Sequence, residues 1–143
     1  MTTAFARVLG AVEAAIKQGG VQGEIFRSRV RPISRQFSSA IVLRLVVAEV
    51  DQSVGQGADS LWSVQLEVDC FVRSTPAVAA DDALDELLEA VVAALMADQT
   101  LAGVVAAMRP AGVSWDFDVD AEQTACATVT FIVQQFTAAA SLV

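Results

Sequence analysis

The side chains of this 143-residue chain that could do chemistry are mainly carboxylates and guanidinium groups. The chain has no histidine, and Lys17 is its one lysine. Ser-His and Cys-His nucleophilic arrangements, imidazole metal sites and phosphate-binding loops that end in Gly-Lys therefore cannot be built from it. A carboxylate pair or a Ser-Lys pair stays formally open, so a small acid-dyad enzyme is kept as one alternative. We expect a protein that is not an enzyme and that needs no cofactor.

Three aspartates at a spacing of two residues invite a calcium interpretation: Asp116, Asp118 and Asp120. A calcium loop of that pattern needs glycine at its sixth position and glutamate at its twelfth, where this chain has Ala121 and Ala127. A spacing of two instead places all three carboxylates on one face of a strand. We therefore expect an exposed acidic strand face and no metal site, and we expect Trp62 and Trp115 to be core residues because each lies in an alternating apolar series.

Five of the nine basic residues are clustered, and no acidic residue lies between Glu24 and Glu49; the five are Arg27, Arg29, Arg31, Arg35 and Arg44. Up to Arg73 the chain has eight basic and seven acidic residues, and after it one basic and ten acidic residues. Such polarity favours head-to-tail contact between identical subunits or a basic rim that faces phosphates. The alternative is an edge strand whose charges block unwanted pairing. An interface role is our hypothesis for four of them: Arg27, Arg29, Arg31 and Arg35.

Composition indicates a single folded domain spanning residues 1–143, because 55% of the residues are hydrophobic and the net charge is only −8. Cys70 and Cys126 lie in apolar, strand-like runs, where we expect free thiols of a reducing compartment. Arg7, Glu13 and Lys17 interrupt the N-terminal segment, so it does not resemble a secretion signal. The long uncharged run near the C terminus is rich in Thr and Gln, and we expect no membrane span there.

Two helices are predicted. The first has apolar residues at helical spacing, with Thr2 or Thr3 as its N-cap and Gly19-Gly20 as its end. The second should begin at Thr75-Pro76, followed by acidic residues near its N terminus, and should end near Ala97. A short helical turn from Leu101 to Met108 is also considered. The predicted buried stripe of the second helix is Leu84, Leu87, Leu88, Val91, Val92 and Leu95.

Five strand-like segments accompany these helices: Glu24 to Val30, Ile41 to Val50, Trp62 to Arg73, Ser114 to Ala121 and Ala125 to Phe136. The second is almost continuously aliphatic, which is typical of a central strand or of one at a subunit contact. The element order predicts an α+β fold, a largely antiparallel mixed sheet with both helices packed on one face. A helix crossover would make one strand pair parallel.

A polar, glycine-rich segment should form the tip of a long hairpin between the second and third strands: Val54, Gly55, Gln56, Gly57, Ala58 and Asp59. It lacks the third glycine and the following helix of a dinucleotide-binding loop. We expect this tip to take part in assembly.

Several short motifs resemble those of the tail terminator proteins of long-tailed phages, the minor tail protein U family. The stretch from Ile25 to Ile33 resembles that family's aromatic-x-x-Arg-x-Arg-Pro motif ahead of a hydrophobic strand, here Ala40-Ile41-Val42-Leu43. Val68-Asp69-Cys70-Phe71-Val72-Arg73 before an acidic helix is similar to the family's second half. So are Leu101-Ala102-Gly103 and Glu122-Gln123-Thr124 ahead of the last strand. The motifs follow the family's order over most of the chain, and each is short.

The resemblance implies a structural virion protein: a subunit of a hexameric ring at the head-proximal end of the phage tail tube. Such a ring stops tube polymerisation and provides the head-docking surface, and it assembles in the host cytoplasm. Its implied partners are further copies of itself, the tail tube protein, a head-tail connector protein and DNA that passes through the lumen without sequence recognition, with no membrane. A head-completion or neck protein of the portal channel is the alternative within the same structural class.

Overall fold

The computed structural model describes residues 2–27, 38–53, 59–74, 79–117, 124–138 and 141–143. In chain order the elements are α1 (Ala4–Gln18), β1 (Glu24–Arg27), β2 (Ser39–Ser53), β3 (Ser60–Arg73), α2 (Ala80–Met96), β4 (Ala107–Phe117) and β5 (Thr124–Thr137). The predicted α+β class is confirmed. In the part of the chain that the structure describes, neither helix is long and apolar enough to cross a membrane.

The five strands form one mixed sheet with the spatial order β1-β2-β3-β5-β4. β1 runs parallel to β2, from Glu24 beside Ala40 to Arg27 beside Leu43, and every other neighbouring pair is antiparallel. The β2–β3 hairpin is confirmed, because the two strands pair from Ser39 and Val72 down to Ser53 and Ser60. β5 lies between β3 and β4, so α2 carries the chain across it.

Helix α1 begins and ends as its sequence predicts. The Oγ1 of Thr3 accepts a hydrogen bond from the backbone N–H of Ala6 at 3.2 Å, which satisfies one of the free amides of the first turn. Gly19 forms the C-cap. One face of the helix is fully buried: Ala4, Val8, Val12 and Ile16.

Helix α2 begins later than predicted. It starts at Ala80 with Ala79 as an N-cap that makes no side-chain hydrogen bond, so the expected Thr75-Pro76 start was wrong; those two residues lie outside the described ranges. Asp81 and Asp82 lie in the first turn, where carboxylates interact favourably with the helix dipole. The predicted stripe and the end at Ala97 are confirmed: Leu84, Leu87, Val91 and Leu95 are buried, with Leu88 and Val92 partly so.

Both helices cover one face of the sheet. Alternate residues of β3 and β5 are buried beneath them: Val64, Leu66, Val68, Cys70, Val72, Ala125, Ala127, Val129, Phe131 and Val133. This period of two is the pattern predicted for both strands. The other side of the sheet, here called the open face, carries the remaining strand residues.

The chain between α2 and β5 differs from the prediction. Leu101 and Ala102 have positive φ values of 49° and 58°, so the expected helical turn was wrong and the segment consists of turns. β4 then begins at Ala107, seven residues before the expected start at Ser114, and includes Pro110. A proline is tolerated there because β4 is an edge strand with a bulge between Pro110 and Gly112.

Candidate assembly surfaces

Arg27 is the member of the predicted arginine interface whose position the structure gives. Its Nη2 and Nε donate to Oε2 of Glu13 on α1 at 2.6 and 3.0 Å, and Lys17 contacts Oε1 of the same carboxylate at 3.1 Å. Hydrogen bonds from Arg27 and Lys17 hold the pKa of Glu13 below its ordinary value. The ion pair between Arg27 and Glu13 thus links β1 to α1. Arg29, Arg31 and Arg35 lie outside the described residues.

Arg44, the fifth arginine of the cluster, lies on the open face. Its Nη2 is 2.5 Å from Oε2 of Glu67, and its Nε is 3.5 Å from Oδ2 of Asp69. Thr128 on β5 donates to Oδ1 of Asp69 at 2.6 Å. The open face therefore carries a polar ladder across β2, β3 and β5, in which Arg44 is balanced by two carboxylates of its own subunit.

In the sequence, the predicted hairpin tip follows Ser53, the last residue of β2, and precedes Ser60, the first residue of β3. Asp59, its last residue, is exposed, and Val54, Gly55, Gln56, Gly57 and Ala58 lie outside the described residues. Asp116 of the acidic trio is exposed, and Asp118 and Asp120 lie outside the described ranges as well. Within those ranges, no three Cys, Asp or Glu side chains form a group suited to a metal ion.

The two tryptophans differ in how far their side chains are buried. Trp62 is half-buried: its Nε1 donates to Oγ1 of Thr137 at 2.8 Å, and its ring meets Phe5 edge-to-face with centroids 5.5 Å apart. Trp115 is 56% exposed, so the expectation that it belongs to the core was wrong. Trp115 lies on the helix side of the sheet, as its alternation predicts, because its partner Ala127 is buried there, but it belongs to the outer strand β4, whose residues 109–116 are all exposed.

Trp115 belongs to the first of two apolar edges that the sequence reasoning did not identify. The β4 edge, defined as Ala107–Phe117, is the last strand of the sheet and exposes Val113 as well as Trp115. Pro110 in a strand-like run was the available signal, since proline within a sheet indicates an edge strand.

The second apolar edge lies on the other side of the sheet. β1 pairs with Ala40–Leu43 as far as it is described, and the second half of β2 runs from Arg44 to Ser53. We call this stretch the β2 edge. Val46 is 52% exposed, and Val47 and Val50 are exposed with it. β2 lies between β1 and β3, as predicted for a central strand, and its buried residues are in its first half: Ala40, Ile41, Val42 and Leu43.

The cysteines are free, as predicted, and lie on opposite faces of the sheet, because Cys70 pairs with Ala127 whereas Cys126 pairs with Phe71. Burial raises the pKa of Cys70 to about 12 and that of Cys126 to about 11. Both thiols are therefore protonated at neutral pH.

A cavity of about 370 Å³ lies at the end of the sheet between α2 and the chain around Gly20 and Ser39. Its lining includes Arg73 and a single carboxylate, Glu86. The acid-dyad alternative requires two carboxylates in one cavity.

No protein-family model matches the chain, and a search of curated proteins gives no significant match.

Proposed function

We propose that this protein is a structural subunit of a phage tail, a tail terminator that forms a ring on the head-proximal end of the tail tube. The observation that carries the proposal is the presence of two unlike apolar edges on opposite sides of one sheet, Val46, Val47 and Val50 on one and Val113 and Trp115 on the other. Val113 and Trp115 share one face of β4, since their partners Val129 and Ala127 are both buried on the helix side, and neighbouring exposed apolar side chains are typical of interaction surfaces.

Two different edges favour a ring over a symmetric dimer. A two-fold dimer uses the same patch on both subunits, whereas a ring joins one patch of each subunit to a different patch of the next. The uneven charge of the chain supports the same arrangement, because most of its excess acidic residues follow Arg73 and most of its arginines precede it.

The proposed mechanism is steric. One face of the ring matches the end of the tail tube, and the opposite face lacks the surface that would add another tube ring, so polymerisation stops and the head can dock. The family resemblance stated above supports six copies per ring, and DNA passes through the lumen without sequence recognition. The assembled protein belongs to the virion, at the head end of the tail.

The direct test is electron microscopy of tails assembled with and without this protein. Overlong tubes in its absence, restored to normal length by adding it back, are the expected result. Tubes of normal length that fail to join heads would instead assign the protein to the neck, and normal tails joined to heads would contradict both roles.

Two variants probe the surfaces named from sequence. Arg29→Glu combined with Arg31→Glu should impair length control, whereas Arg7→Glu, an exposed arginine on α1, is the matched control and should not. Deleting residues 54–58 should also impair length control. Normal tail length in either variant would remove that surface from the proposal.

A further inference from the structure

We infer that the exposed helix-side face of β4, together with the acidic side of α2 next to it, receives the basic side of the next copy, which consists of Lys17 on α1 and Arg27 on β1. The inference rests on the proposed function in one respect, since it takes a second copy of this chain as the occupant. It goes further by naming the elements and the charges that meet, and it does not require the outer side of β2 to be free.

Three exposed apolar side chains of β4 lie beyond the helix layer of their own subunit. They are here called the β4 face: Pro110, Val113 and Trp115. The residues that pair with them on β5 are buried beneath the helices, so all three lie on the helix side of the sheet. The bulge between Pro110 and Gly112 keeps Pro110 on the same side as Val113. An apolar surface of this kind is suited to a partner.

The side of α2 next to the β4 face is acidic. α2 faces α1 with Ala94, since a Cβ on Gly19 would lie 2.6 Å from the Cβ of Ala94. Asp85 precedes Ala94 by nine residues, or two and a half helical turns, so it lies on the opposite side of α2. Asp81 and Glu89 share that side with Asp85 at a spacing of four residues. Because α1 packs mainly on β2 and α2 packs on β3 and β5, this side of α2 is turned toward β4.

These three carboxylates form no ion pair in the part of the chain that the structure describes. The ion pairs found there use Glu13, Glu67 and Asp69, and α2 itself has no basic residue. Carboxylates spaced by four residues repel one another along a helix. A positively charged partner therefore fits this side of α2 better than a neutral one.

The opposite end of the helix layer has the complementary charge. Gly19 faces α2, and Lys17, two residues earlier, lies about half a turn away from it, on the outer side of α1. The side chain of Lys17 is 65% exposed. Arg27 of β1, which donates to Glu13 on the same side of α1, is 46% exposed. The two cations outnumber the one carboxylate, so this side is basic.

The positions of these groups along the sheet also agree. Arg27 and Val113 belong to the same row of paired residues, which crosses the sheet through Leu43, Val68 and Val129. A copy set beside the first in the same orientation therefore brings its Arg27 level with Val113 and close to Trp115, on the same side of the sheet. A guanidinium group that lies over an indole ring interacts favourably with it.

Lys17 and Asp85 lie at the same end of the sheet. Gly20, just after α1, and Ala83 and Glu86 of α2 line one cavity. A neighbour in the same orientation thus brings its Lys17 level with the first half of α2, where Asp85 lies. A two-fold dimer through the β4 face would instead bring two acidic sides together, so the charges favour head-to-tail contact.

Chemical cross-linking between two single-cysteine variants tests the contact. Lys17→Cys and Asp85→Cys are each made with Cys126→Ser, and the buried Cys70 is kept. A short bismaleimide should give a covalent dimer with the mixed variants and none with either variant alone. Cross-linking within one variant would show symmetric pairing and overturn the inference.

Light scattering on the same samples separates this inference from the proposed function. An oligomer whose mixed variants do not cross-link would overturn the contact named here and leave the ring intact. A protein that stays monomeric at every concentration would overturn both.

A charge exchange gives an independent measurement. Lys17→Glu alone and Asp85→Lys alone should each raise the concentration for half-assembly about fivefold, and the double variant should return toward the wild-type value. Glu86→Lys makes the same change of charge on the side of α2 that lines the cavity, and it is the matched control. Equal effects of Asp85→Lys and Glu86→Lys, or no restoration in the double variant, would contradict the contact.

Discussion

Gly19 and Gly10, both in or at the end of α1, should respond in opposite ways to the same substitution by alanine. A Cβ on Gly19 would lie 2.6 Å from the Cβ of Ala94 on α2, a distance that real side chains do not tolerate. A Cβ on Gly10 would meet only Nη2 of Arg27, at an ordinary contact distance of 3.6 Å. Neither glycine has a positive φ, so the backbone accepts alanine at both positions.

The magnitudes follow from these two distances. Gly10→Ala replaces a glycine within a helix and should stabilise the fold by about 0.5–1 kcal/mol. Gly19→Ala receives part of that gain but must push α1 and α2 apart, and overpacking of this kind costs about 1–3 kcal/mol. We expect a net destabilisation of about 1–2 kcal/mol, or roughly 3–6 °C in Tm for a chain of this size.

Urea unfolding of both variants and the wild type, at one protein concentration, measures the difference directly. The double variant Gly19→Ala, Ala94→Gly removes the clashing methyl group, so its two changes should be less destabilising together than the sum of their separate effects. If Gly19→Ala were as stable as Gly10→Ala, the close approach of α1 and α2 would be refuted.

Three further predictions concern charge, thiols and the exposed edge. The pKa of Glu13 is lowered by Arg27, so its contribution to stability is present above its ordinary value of 4.5 and is lost as the pH falls through the folded-state pKa. Urea titrations should therefore show the gap between wild type and Glu13→Gln narrowing from pH 7 to pH 3, and a constant gap would contradict this. A thiol reagent at pH 8 should modify Cys126 slowly and Cys70 more slowly still, because burial raises the pKa of both thiols. Fast reaction of Cys70 in the folded protein would contradict its buried position in the sheet. In the Trp62→Phe variant, emission from Trp115 should be that of a solvated indole in dilute protein and should shift to the blue on assembly, whereas unchanged emission in the oligomer would remove Trp115 from the interface.

The sequence predicted those parts of the fold in which local pattern and burial agree. The apolar residues that alternate in β3 and β5, and those at helical spacing in α1, are buried in the structure. The spacing of apolar residues in the sequence therefore predicted these three elements correctly. The prediction was less accurate where tertiary position decides. Trp115 occurs in an alternating apolar series, as a core residue does. Its exposure depends on where the helices pack on the sheet, and the sequence of one strand does not predict that position.

Boundaries were the second source of error. Thr75-Pro76 has good capping chemistry, yet α2 starts at Ala79-Ala80, where Asp81 and Asp82 supply the favourable charge instead. Pro110 lies between the considered helical turn and the expected strand start at Ser114, and the structure places it within β4 because an edge strand accepts a proline. The apolar edges emerged only when the sheet order was known, because the order β1-β2-β3-β5-β4 places β4 at the border of the sheet.

Native mass spectrometry of the purified protein over a range of concentrations tests the central claim, that this chain acts by shape and head-to-tail self-association. The account predicts one closed oligomer of fixed copy number, six by the family resemblance. A protein that remains a monomer of 15.0 kDa at all concentrations, even with tail tubes present, would contradict it.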